Sequence, residues 1–146
     1  MKPAVLILSA GRRVSLVRLF AEAALKRGMR LIAADMRPEL SAACQVADSL
    51  CALPHVTCPD YPDALLALCE KEDVRLAVPT LDTELPVLSA LRPEFANAGI
   101  SLLVSDSEFV EVCADKRETA AHFSKLDVPS PKIMNLDALS YPLIVK

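Results

Sequence analysis

Five short apolar runs, each separated from the next by a segment with helical or turn-like spacing, constrain this chain more than any other feature. Residues 4–8 (AVLIL) are continuously apolar, as in a strand buried on both faces. Val14, Leu16, Val17, Phe20, Ala21, Ala24 and Leu25 then recur at helical spacing, and Gly28 follows Lys26-Arg27 as a helix terminator. Residues 30–35 (RLIAAD), 49–53 (SLCAL), 75–80 (RLAVPT) and 100–105 (ISLLVS) read as four further strands. Between them, Asp60 and Pro62 introduce a helix whose face runs over 64–71. A second helix begins near Pro86, and Pro93 is expected to divide or kink it before Gly99. Alternation of this kind specifies a mainly parallel sheet with helices on both faces, a Rossmann-like three-layer α/β/α sandwich.

After Ser105 the pattern changes. A short helix, a break at Ala114-Asp115 and a helix from Lys116 to Leu126 lead into the proline-stiffened VPSPK and the strand-like YPLIVK. Residues 1–105 therefore read as one domain. Residues 106–146 read as connecting helices and the first strands of a second, truncated one.

Composition removes several classes of function. The chain is 53% hydrophobic and 24% charged with a net charge of −3, a soluble pattern without the basic face that nucleic acid or an anionic membrane surface requires. Tryptophan is absent and aromatics make up 4%, too few for base-stacking platforms. No apolar stretch is long enough to span a bilayer, and no signal peptide is visible. The five cysteines (Cys44, Cys51, Cys58, Cys69 and Cys113) include no C-x-x-C pair, so they read as buried, reduced thiols of a cytoplasmic protein.

In an open parallel sheet, ligands bind beyond the carboxyl ends of the strands. Ser9, Gly11, Arg12 and Arg13 follow the first strand, Asp35 ends the second, and Asp82 and Glu84 follow the fourth. The first segment is not a dinucleotide fingerprint: Arg13 and Leu16 stand where the second and third glycines belong. Two arginines beside a helix N-terminus suit a carboxylate or phosphate. They equally suit ion pairs with Asp35, Asp82 or Glu84. Asp82 and Glu84 have the pattern of a helix cap and first turn. Alternatively they bind an amine or hydroxyl opposite the arginines, an arrangement fit for a zwitterion.

The stretches LILSAGRRVSLVRLF, IAAD, AVPTLDTELPVLS and CADKRETAAHFSKLDVPSPK, followed by YPLIVK, resemble in order the N-terminal part of ATP-grasp enzymes, closest to the carbamoyl-phosphate-synthase large-subunit-like proteins. The resemblance implies a pre-ATP-grasp domain that helps bind a small carboxylate or amino-acid-like substrate. It implies Lys116 and Lys146 as contacts to ATP, and magnesium in the full-length enzyme. The family chemistry is activation of a carboxylate as an acylphosphate, then attack by an amine or related nucleophile. The flexible glycine-rich loop, the adenine hinge and the metal ligands are expected beyond Lys146, so this chain alone is expected to bind neither ATP nor magnesium tightly and not to catalyse. A stand-alone anion-binding regulatory domain is the alternative.

Overall fold

The computed structural model describes residues 2–131, 133, 134 and 137. The chain divides into two compact units, Met1–Ser107 and Glu108–Lys146.

The first unit is built on five parallel strands: β1 (Ala4–Ile7), β2 (Arg30–Asp35), β3 (Ser49–Ala52), β4 (Val74–Val78) and β5 (Ser101–Leu102). Their spatial order is β3-β2-β1-β4-β5, which puts the first strand at the centre. Three helices cover the sheet: α1 (Val14–Leu25), α2 (Tyr61–Lys71) and α3 (Leu85–Asn97).

Period-two alternation distributes the strand residues between two cores. Ala4, Leu6 and Leu8 pack with Ile32 and Ala34 against Tyr61, Leu65 and Cys69 of α2 and Leu88 and Phe95 of α3. Val5 and Ile7 pack with Leu31 and Ala33 against Val17 and Ala24 of α1. Both faces of the sheet are therefore covered, as the unbroken apolar run of β1 requires. Each fully buried Leu or Ile on this strand contributes about 1.5–3 kcal/mol relative to an exposed one.

Several expectations are adjusted. Pro93 does not divide α3, which runs unbroken through it. Leu88 and Phe95, buried on either side, hold the helix against the sheet despite the lost N–H. The fifth strand is two residues long and β3 stops at Ala52. Helix α2 starts at Tyr61, and its buried face begins there rather than at residue 64, with Leu65 and Cys69 continuing it. All five cysteines are free, but only Cys44 and Cys69 are buried. Burial pushes the Cys69 thiol up to about 12. No described helix is long and apolar enough to cross a membrane.

The described part of the second unit is helical, with α4 (Ser107–Ala114) entering it and α5 (Lys116–Lys125) following. Asp115 caps α5: its side chain accepts from the Arg117 backbone N–H at 2.7 Å and pairs with the Arg117 guanidinium at 2.6 Å. Those side-chain and backbone hydrogen bonds hold its carboxyl down at about 2, against an ordinary 3.8. A carboxyl lowered on folding stabilises above its unfolded value and loses that contribution as pH falls through its folded one. The cap should therefore persist at pH 4 and fail near pH 2. NMR titration of the Arg117 amide should give a midpoint near the lower value; a midpoint close to 4 would show that no cap forms in solution. Strand-like YPLIVK, and Lys146 with it, lies outside the described residues.

Candidate functional site

The order of the strands reverses between β1 and β4, and the loops that leave these two strands part at that point. A cleft of about 250 Å³ opens there, lined by Ser9, Gly11 and Arg13 after β1, Asp35 and Met36 after β2, and Leu81, Thr83 and Glu84 after β4. The segment following β3 closes it with Leu53, His55 and Tyr61 among others.

Ser9 has φ +48°, a left-handed conformation that is uncommon outside glycine. Thr80 holds it there: its hydroxyl lies 2.7 Å from the Ser9 carbonyl and 2.9 Å from that of Leu8. Arg13 also donates to the Ser9 carbonyl, at 3.4 Å. Strain held by neighbours is a recurrent property of functional sites. Here it sets Ser9 Oγ 2.5 Å from Glu84 Oε1, a bond that joins the β1 and β4 loops across the switch point.

Glu84 is the centre of the arrangement. It is 2% exposed, and Oε1 also accepts from the Tyr61 hydroxyl at 3.3 Å. Oε2 is buried with no hydrogen-bond partner. Burial, then the neighbouring Glu84 charge, raises the Tyr61 phenol above its ordinary value, so it remains a donor across the neutral range. A buried carboxylate oxygen without a donor is costly and calls for an explanation.

Gly11 is occupied by protein groups. With φ +53°, it donates its N–H to Asp35 Oδ2 at 2.9 Å and accepts from Ser41 Oγ at 2.8 Å. Asp35 thus braces the loop after β1. Its Oδ2 sits on the amide that a glycine-rich loop would turn toward a pyrophosphate.

The structure brings together five of the seven residues expected from the sequence to bind substrate: Ser9, Gly11, Arg13, Asp35 and Glu84. Arg12 and Asp82 are exposed and outside the cleft lining. Among the described residues, neither arginine forms an ion pair with Asp35, Asp82 or Glu84. The capping expectation for Asp82 fails. Residues Asp82–Glu84 form a single 3-10 turn without a side-chain cap, and α3 starts at Leu85. That turn sends Asp82 to solvent and Glu84 inward.

Tyr61 and His55 were not anticipated, and Thr80 was legible only as part of the loop that follows the fourth strand. His55 Nδ1 lies 2.8 Å from Thr57 Oγ1 and 3.3 Å from the Thr57 backbone N, which fastens the ring to its own turn. The pattern HVTCPDYP marks a turn before a helix. Nothing local to it shows that this turn folds back over β1. Lys116, the first residue of α5, is exposed.

Among solved structures, the chain is similar to the biotin carboxylase domain of a single-chain bacterial carboxylase, with TM-score 0.59 and 20% identity over 93% of this chain and 32% of that one. A pyruvate carboxylase from Rhizobium etli matches with TM-score 0.57 and 15% identity, over 91% of this chain and 13% of that one. Glycinamide-RNase-transformylase T from Mycobacterium tuberculosis matches with TM-score 0.57 and 15% identity, over 87% and 36%. The chain thus spans well under half the length of these proteins, and at such identities the likeness concerns the fold. No curated protein matches it in sequence. The PylC-like N-terminal domain family matches residues 5–103, which contain the whole cleft. The chain belongs to that family, and its fold is that of the N-terminal portion of ATP-grasp enzymes, as its motifs led one to expect.

Proposed function

We propose that this chain is the acceptor-binding portion of a cytosolic, ATP- and magnesium-dependent carboxylate–amine ligase that works through an acylphosphate. Its cleft would take a small amino-acid-like molecule. The observation that carries this reading is Glu84, a carboxylate 2% exposed whose Oε2 has no partner. A positively charged ligand N–H satisfies both the oxygen and the charge.

Arg13, exposed and part of the same lining, suits the carboxylate of such a ligand. Arg12 and Asp82, exposed on the flanking loops, would meet parts of the ligand or acylphosphate that project from the cleft. ATP and magnesium, when bound, supply the phosphoryl transfer. Lys116 and Lys146 would approach the nucleotide phosphates, and the cleft residues bind and orient the acceptor. Alone, the chain should bind neither ATP nor magnesium tightly and should release no ADP.

Titration calorimetry of the chain against a panel of small amino acids tests the reading. Binding should be weakened about tenfold by Arg13→Ala, the cost of one exposed charged contact. If inorganic phosphate or simple carboxylates bind and no amino acid does, the cleft is an anion sensor and the ligase reading fails.

A further inference from the structure

The hydrogen bonds around Glu84 also define which cationic head group the cleft can accept, an inference that rests on the amino-acid-like reading above. Ser9 and Tyr61 both donate to Oε1, at 2.5 and 3.3 Å. A carboxylate offers about four lone-pair positions, two on each oxygen. Oε1 is therefore filled, and the remaining capacity is all on Oε2.

A guanidinium recognises a carboxylate as a fork, one N–H to each oxygen. Against Glu84, one prong would meet an acceptor and the other an oxygen already saturated by two hydroxyls. A primary ammonium is a compact charge that needs only one oxygen. A quaternary ammonium carries no N–H and would leave Oε2 buried and unpaired, which is costly. We propose that Ser9 and Tyr61 are specificity determinants: by loading one oxygen of Glu84, they make the cleft select a primary ammonium over a guanidinium or a quaternary ammonium. Thr80 acts behind them as a positioning residue, because it holds Ser9 in the conformation that reaches Glu84.

The test is titration calorimetry of the chain with a matched set of probes: ω-amino acids of increasing chain length, their guanidino counterparts and their trimethylammonium counterparts. At the best-binding length, the amino compound should bind about tenfold more tightly than either counterpart, the value of roughly one hydrogen bond to a charge. Tyr61→Phe and Ser9→Ala each vacate one position on Oε1. In both variants the guanidino compound should gain about tenfold on the amino compound. Thermal denaturation establishes that each variant is folded, and two independent substitutions guard against the loss of either one. Equal binding of the three head groups, or a ratio that neither variant moves, would overturn the inference and leave the amino-acid-like reading intact. Absence of binding by every probe at every length would overturn both.

Discussion

Replacing Glu84 with glutamine is expected to weaken binding of an amino-acid-like ligand about a hundredfold and, at the same time, to raise the melting temperature of the free protein. The two effects have one cause. The carboxylate is 2% exposed and only one of its oxygens has donors, so the free protein carries a buried charge that is incompletely paired. A neutral amide in the same place costs less to bury and still accepts from Ser9 and Tyr61 through its carbonyl. The gain should be about 1 kcal/mol, the scale of one hydrogen-bond imbalance. Truncating one partner of a buried charge pair typically costs 2–5 kcal/mol of affinity, and the lower part of that range corresponds to about a hundredfold. Calorimetric titration and a melting curve on the same preparation check both. A variant that binds as well as the parent and melts lower would make Glu84 a structural element and remove it from the site.

Phe95→Ala should be the most destabilising single change in the first unit, by about 3–5 kcal/mol. Phe95 is fully buried against the face of the sheet that also receives α2. Its position makes it matter more than its area. Pro93 removes one intrahelical bond just ahead of it, so packing carries a larger share of what holds the last turns of α3. The Phe95 carbonyl also accepts from Ile100 at 2.9 Å, which anchors the short β5. A domain of this size has about 5–15 kcal/mol in total, so the variant should lose a large fraction of its stability. A urea midpoint shifted by the corresponding amount, with faster amide exchange in α3 and β5 than elsewhere, is the expected result. A small shift would show that α3 packs on other residues.

The layering was legible because it depends on local patterns. A continuous apolar strand followed by a 3.6-residue repeat has few solutions, and β2 has the limits expected from its sequence, Arg30–Asp35. Strand β5 was overestimated because ISLLVS remains apolar after pairing with β4 has ended. Within the site, the loops after β1, β2 and β4 were identifiable from the rule about strand ends. The different fates of Asp82 and Glu84 were not. Two acids two residues apart look equivalent in a sequence, and a single 3-10 turn separates them into one exposed and one buried. Tyr61 was invisible for another reason: its partner is 23 residues away, and the pairing depends on how α2 crosses the sheet. The arginines illustrate a third limit. Their sequence position raised ion pairing and ligand binding together, and only coordinates show Arg13 in the cleft and Arg12 outside its lining.

The position of β1 has a consequence for how the chain is made. Of the five strands of this sheet, β1 leaves the ribosome before the others and is the central one, with β2 on one side and β4 on the other. β2 can join it once residue 35 has emerged, but β4 begins only at Val74. During the interval the nascent chain presents a bare, wholly apolar parallel edge, the kind of surface that recruits other strands. The carboxylate at residue 84 lies just beyond β4 in the chain. Vectorial synthesis therefore leaves one edge of β1 unpaired until β4 emerges, and a chain stalled between residues 35 and 74 exposes that edge longest.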